Sequence, residues 1–262
     1  MNSTLPPAPD ADSGPDAPLA PAAEATFGPP PEAVVAAPFD QLALPAPVLA
    51  NLTRLGYHLM TPIQAASLPV ALAGHDLIAQ AKTGSGKTAA FALPLLQRLD
   101  ARSFAVQALV MCPTRELAEQ VTQEIRRIAR AEDNIKILTL CGGTPIRPQA
   151  DSLAHGAHVV VGTPGRLMDH ISRGSLKLDS LATLVLDEAD RMLDMGFFDD
   201  IAYVAKACPR NRQTLLFSAT YPEGVVRLAR QFMRQPQEIA LAGQHEADKI
   251  RQRFFEVAAD QR

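Results

Sequence analysis

The sequence predicts an α/β fold in which a mostly parallel sheet is covered by helices on both faces. Three observations carry this. From Phe39 onward, short apolar runs alternate with longer stretches of helical period. A glycine-rich loop, AKTGSGKT at Ala81 to Thr88, joins one apolar run to a helical stretch, and another run, TLVL, leads straight into the acids Asp187, Glu188 and Asp190. Strand, loop and helix in repeated order imply parallel strands whose working loops collect at their carboxyl ends.

The elements follow in chain order. Residues 1–38 hold 10 of the 22 prolines and the acids Asp10, Asp12, Asp16, Glu24 and Glu32, with no Lys or Arg. That composition predicts a disordered, extended tail, with the folded body at 39–241. Strands are predicted at 76–80, 106–112, 135–141, 158–161, 181–187, 213–218 and 237–241. Between the second and third, TRELAEQVTQEIRRIARA sets Leu117, Val121, Ile125 and Ile128 on one face, an amphipathic helix. Further helices are expected to start near Lys87, Pro164 and Pro222. No repeat of solenoid type is present.

A chain of 262 residues, 47% of them hydrophobic, supplies one large core. Its net charge is −3, and without the acidic tail the body is near +2, so bulk charge does not announce a nucleic-acid binder. Cys112, Cys141 and Cys208 are odd in number and lack CxxC spacing, which argues against both a disulfide framework and a zinc site. Reduced thiols fit a cytoplasmic protein. No apolar run approaches the ~18 residues of a membrane span, and the N-terminus lacks the basic-then-apolar order of a signal peptide. A soluble monomer is expected.

AKTGSGKT has the context that a phosphate-binding loop requires, between the strand DLIAQ and the helix TAAFALPLLQRL. Gly84 and Gly86 let backbone N–H groups turn inward, and the following helix presents its positive end to a phosphate. A lysine at Lys87, in the first helical turn, opposes the helix dipole and becomes favourable once a polyanion sits between them. Thr88 supplies a hydroxyl for Mg²⁺. Ala81, Lys82, Thr83, Gly84, Ser85, Gly86, Lys87 and Thr88 are therefore the candidate nucleotide-binding residues, with Ala81 standing where the general motif has glycine.

These residues give the acids at the end of TLVL a partner. Asp187, closing a buried strand, is suited to hold Mg²⁺ largely through water, since this hard ion takes few carboxylates. Glu188 is suited to orient and deprotonate a water in line with the terminal phosphate. The simpler alternative is acids at a helix start, worth roughly 0.3–1 kcal/mol each.

Asp187 to Asp190 spell DEAD, and the chain resembles the first RecA-like domain of a DEAD-box RNA helicase over about 39–241. GYHLMTPIQ ending at Gln64, AKTGSGKT, PTRELA, Gly142 with Gly143, TPGR, DEAD and SAT at Ser218 occur in that family's order. KILTLCGG, DEADRMLDMGF and RQTLLFSAT resemble the DbpA subgroup, bacterial helicases acting on large-subunit ribosomal RNA. The resemblance implies ATP as substrate, Mg²⁺, and RNA as partner. It implies that Gln64 reads adenine and Phe39 stacks on it, although a lone Phe is otherwise a core anchor. It implies that Thr114, Arg115, Gly143, Thr163 and Arg166 grip an RNA backbone, although Thr163 before Pro164 also reads as an ordinary helix cap. Asp190, Ser218 and Thr220 would couple the two sites.

Other functions fit less well. A GTPase would carry Asn or Thr, then Lys, any residue and Asp, whereas Lys177 and Asp179 follow Leu176. A DNA translocase would lack the Phe39 and Gln64 pairing and PTRELA with TPGR. An ATP-gated RNA clamp with little turnover remains the non-enzyme alternative. Residues 242–262 resemble a linker and the opening of a second RecA-like domain, so half of a two-domain active site is expected here.

Overall fold

The structure, a computed structural model, describes residues 37–131 and 134–241. The predicted tail through residue 36 and the segment 242–262 lie outside the described residues.

Seven strands form one sheet: β1 (Leu77–Gln80), β2 (Ala108–Met111), β3 (Ile137–Leu140), β4 (Val159–Gly162), β5 (Thr183–Leu186), β6 (Gln213–Ser218) and β7 (Gln237–Ala240). Their order is β3-β4-β2-β5-β6-β1-β7, and every pairing is parallel. Each predicted strand is present. Most are shorter than the apolar run that announced them, because the ladder outlasts the strand. Cys112 N–H still donates to Gly162 O at 2.9 Å, and Asp187 N–H to Met111 O at 3.0 Å.

Nine helices connect the described strands: α1 (Ala46–Arg54), α2 (Pro62–Leu72), α3 (Lys87–Gln97), α4 (Arg115–Ile128), α5 (Ile146–Ala154), α6 (Pro164–Ser172), α7 (Ala189–Asp194), α8 (Phe198–Ala207) and α9 (Glu223–Phe232). Alternate strand residues feed two apolar cores. Leu77, Val110, Val185 and Phe217 pack beneath α1–α4, while Ile78, Leu109, Leu184 and Leu216 pack against α6–α9. Helices thus cover both faces, as predicted.

The expected helices near 87, 114, 164 and 222 are α3, α4, α6 and α9. The inward face of α4 needs one correction. Its buried residues are Ala118, Val121, Thr122, Ile125 and Ile128, and Leu117 is only half-buried. Thr122 can lie inside because its hydroxyl donates to Ala118 O at 2.7 Å, one turn back. Leu117 instead turns toward a cleft at the carboxyl end of the sheet.

Candidate functional site

Strand β1 delivers the glycine-rich loop to the carboxyl edge of the sheet. Ala81, buried, anchors it by donating its N–H to Ser218 O on the neighbouring strand at 2.9 Å. Gly84 and Gly86 then adopt φ of +81° and +93°, which turns the chain into the start of α3. A Cβ on Gly86 would lie 2.5 Å from Gln64 Nε2, so the loop is also packed tightly from behind. Lys87 follows, 6% exposed, and its Nζ has no hydrogen-bond partner. Ser85 Oγ is likewise buried and unpartnered. Unsatisfied buried donors are costly, and Lys87 lines a cleft of about 470 Å³ that the loop shares with Asp187, Glu188 and α4.

Asp187 is 3% exposed and its Oδ1 accepts from Glu188 N–H at 3.0 Å. Burial pushes its pKa up to about 6; the Lys87 charge partly offsets this and the Glu188 carboxylate adds to it. The carboxylate is therefore short of positive charge. Thr88 opens on the same cleft. Among the described residues no group of three or more His, Cys, Asp or Glu could cage a metal. One carboxylate with one hydroxyl suits Mg²⁺, which keeps waters and draws other ligands from phosphates.

Glu188 is the first residue past Asp187 and sits at φ 51°, ψ 52°, the left-handed region that a non-glycine residue rarely enters. This backbone turn folds the side chain back over the loop. Its Oε1 accepts from Thr83 Oγ1 at 3.3 Å, and its Oε2 pairs with Arg191 Nη1 at 3.3 Å. Strain of this kind persists where surrounding structure enforces it. Here the Asp187 side chain caps the Glu188 N–H, and Thr83 and Arg191 hold its carboxylate.

Asp190 joins this edge to β6. Its Oδ2 accepts from Thr220 N–H at 2.9 Å and Thr220 Oγ1 at 2.8 Å, while its own N–H donates to Ser218 Oγ at 3.2 Å. Ser218 thus holds the glycine-rich loop through its carbonyl and the carboxylate turn through its hydroxyl.

The remaining predicted residues lie on the other half of the same edge, after β2, β3 and β4. Thr114 caps α4, accepting from Leu117 N–H at 3.3 Å. Arg115 is exposed, and its guanidinium fills the space where a Cβ on Gly143 would lie. Thr163 precedes α6 without making a side-chain cap bond. Arg166 is held internally: Nη1 donates to Gln149 Oε1 at 2.8 Å and Nη2 to Thr144 O at 2.9 Å, and its side chain is 11% exposed. The sheet order therefore puts the phosphate loop and carboxylates on β1, β6 and β5, and these polar loops on the adjoining β2, β4 and β3.

The sequence profile of the DEAD/DEAH box helicases matches residues 61–228, spanning the phosphate loop, both carboxylates and the β2 and β4 loops. The chain belongs to the DEAD/DEAH box helicase family. It is 56% identical over 216 residues to the ATP-dependent RNA helicase DbpA of Escherichia coli K12, covering 82% of this chain and 47% of that protein. It is 45% identical over 217 residues to the ATP-dependent RNA helicase CshA of Listeria monocytogenes, covering 83% of this chain and 42% of that protein. Among solved structures, a DEAD box protein from the hyperthermophile Methanococcus jannaschii superposes with a TM-score of 0.74 at 41% identity, covering 77% of this chain and 55% of that one. The chain spans about half the length of the curated relatives it matches, or less. The expected likeness to DEAD-box helicases, and to DbpA within them, is borne out.

Two helicase assignments look different in the fold. Phe39 is 3% exposed and packs edge-on to Tyr57 with ring centroids 6.0 Å apart, so it is a core residue and presents no face to the cleft. The aromatic residue lining the cleft is Tyr57, which the sequence reading passed over. Its hydroxyl donates to Glu124 Oε1 at 2.6 Å. Gln64 is buried, and both ends of its amide already have partners: Oε1 accepts from Thr61 N–H at 2.9 Å and Nε2 donates to Gly86 O at 3.0 Å. It clamps the phosphate loop to α2, and one donor and one lone pair remain for a base edge.

Proposed function

We propose that this chain is the ATP-binding part of an RNA helicase that couples ATP hydrolysis to RNA remodelling. The observation that carries the reading is Lys87: a buried ammonium without a partner, beside an under-neutralised Asp187, is stable in a folded chain when a polyanion completes the site. The phosphates of ATP would lie on the Gly84 to Thr88 backbone with Lys87 against the terminal groups. Thr88 and Asp187 would hold Mg²⁺, which supplies charge neutralisation for the phosphates when bound. Glu188, held by Thr83 and Arg191, would take the proton of an attacking water.

Gln64 is the adenine reader on this account and Tyr57 the surface for the base. Arg115, Thr114, Gly143, Thr163 and Arg166 would meet the sugar-phosphate backbone of RNA. Such contacts position a strand without reading its sequence, so the ribosomal RNA target rests on the likeness to DbpA alone. Asp190, Ser218 and Thr220, all on the nucleotide half of the edge, would couple that half to bound RNA. In a full-length protein a second RecA-like domain would face both. No helix among the described residues is long and apolar enough to cross a membrane.

The test is phosphate release measured in parallel with RNA, with DNA and with no nucleic acid, in the full-length protein. Stimulation by RNA alone is expected. Equal rates in the three arms would remove the helicase reading, and tight ATP-dependent RNA binding without turnover would favour a clamp.

A further inference from the structure

We propose that Gln149 is a positioning residue of the RNA-facing surface, locking Arg166 and the loop after β3 into one unit before a strand arrives. The proposal rests on the reading of Arg166 and Gly143 as RNA contacts.

Gln149 projects from α5, and its amide uses all four of its hydrogen-bonding positions. Nε2 donates to Cys141 O at 3.0 Å and to Thr144 Oγ1 at 3.0 Å. Oε1 accepts from Arg166 Nη1 at 2.8 Å and lies 3.0 Å from His170 Nε2. An amide has two donors and two lone pairs, so no rotation of the side chain could keep this set. Arg166 then closes the ring by donating Nη2 to Thr144 O at 2.9 Å. Three separate segments, the 141–144 loop, α5 and α6, are thereby tied through one side chain.

The buried ring of His170 completes the unit. Burial, followed by the Arg166 charge, lowers its pKa, so the ring is neutral near pH 7. Facing an amide oxygen, its Nε2 must carry the proton, and its Nδ1 is 2.8 Å from Ser175 Oγ. On the other side of the loop, Gly143 takes φ +79° beside the Arg115 guanidinium. Long basic side chains lose rotamer freedom when they bind a phosphate; ordering them in advance leaves less to lose at the moment of binding. Gln149 itself carries no charge and need not touch RNA.

A double-mutant cycle tests this. The full 262-residue chain is titrated onto a labelled oligouridine at several low salt concentrations, with fluorescent ATP binding as control. Arg166→Ala and Gln149→Ala are each expected to weaken RNA binding, roughly three- to tenfold, and the double variant should be no weaker than Arg166→Ala alone. Arg166→Ala should also flatten the salt dependence by about one phosphate contact, and Gln149→Ala should move it the same way, which simple loss of stability would not do. ATP affinity should stay unchanged. Gln149→Met keeps the bulk and removes the hydrogen bonds, and it replaces the alanine variant if that fails to fold. Unaltered binding by Gln149→Met, beside a weakened Arg166→Ala, overturns the positioning role and leaves the RNA reading standing. Additive losses in the double variant overturn it as well. No loss in Arg166→Ala removes the RNA reading of that residue, and the proposal with it.

Discussion

Asp190 and Thr220 share one carboxylate oxygen: Oδ2 accepts from the Thr220 N–H at 2.9 Å and from its hydroxyl at 2.8 Å. This junction ties the start of α7 to the end of β6. Burial alone would raise the Asp190 pKa, but the bonds from Thr220, with Ser218 and the Arg191 N–H, outweigh it and hold the group below its ordinary value. A folded pKa below the unfolded one means that the stabilisation is complete above about pH 4 and is lost as pH falls through the folded value. Asp190→Asn should therefore lower Tm by a near-constant amount from about pH 8 down to about pH 5, with the gap closing only at more acid pH. Thermal melts of both proteins across that range decide it, and a gap that varies with pH near neutrality would count against the assignment.

Asp187 shows the opposite balance. Its carboxylate is buried and its pKa is raised to about 6, so near pH 7 the fold holds a charge it would hold more easily in water. Asp187→Asn keeps an oxygen for the Glu188 N–H and removes that charge. The nucleotide-free variant is expected to melt about 2–4 °C higher than wild type, the equivalent of ~1 kcal/mol in a domain of this size. Mg²⁺-dependent ATP binding should be lost at the same time. A lower Tm in the variant would show that the Lys87 attraction outweighs the burial cost.

On the proposed reading, Lys87 and Gln64 would meet a nucleotide at different ends. Lys87→Ala should weaken ATP and GTP by the same factor, because its ammonium can reach only phosphates. Gln64→Ala should weaken ATP more than GTP, over a smaller shared loss from releasing the Gly86 carbonyl. Equilibrium titrations of both nucleotides on both variants separate these outcomes; identical profiles for the two variants would refute the base-reading role.

Gly86 is the position where this loop tolerates least. Its φ of +93° strains any side chain, and an added Cβ would meet the buried Gln64 amide. Gly86→Ala should cost about 1–2 kcal/mol from the backbone alone, and more once Gln64 is displaced. Gly84 has a similar φ of +81° but open space around it, so Gly84→Ala should show only the backbone cost. Denaturant melts of the two variants should rank them in that order.

The sheet was legible chiefly because β2, β4 and β5 are largely apolar runs buried along their length, whereas the edge strand β7, QEIA, is exposed to half-buried. α3, α4, α6 and α9 were legible from their starts. α2 was not: PIQAASLPVAL is apolar nearly all round and packs on α3 as well as the sheet, so it shows no helical stripe. α7 is too short to show a period. The phosphate loop and the carboxylates were readable because their chemistry is contiguous in sequence. Tyr57 and Gln149 were not, since each gains its role from a partner brought near by folding: Glu124 lies 67 residues from Tyr57, and Arg166 lies 17 from Gln149. Phe39 and Tyr57 were not separable for the same reason, as nothing local says which of two neighbouring aromatic rings lines the cleft.

The cleft also predicts how fast this chain can turn over. Phosphoryl transfer spreads negative charge over the moving group, and catalysis depends on positive charge placed around it. Lys87 meets it from the loop side. Arg191 is paired with Glu188 and Arg127 with Glu124, each across 3.3 Å or less, so neither is free to cross to the far side. An opposing arginine is worth roughly 10³–10⁵ in rate in related NTPases. The 262-residue chain should therefore bind ATP and hydrolyse it only very slowly, with little response to RNA. Supplying in trans the part of a relative such as Escherichia coli DbpA that this chain does not align with should raise the rate. In that mixture Glu188→Gln should abolish turnover and leave ATP binding intact, because the amide keeps the Thr83 contact and cannot accept the proton of water. Rapid RNA-stimulated phosphate release by the 262 residues alone would mean that a positive group outside the described residues completes the site.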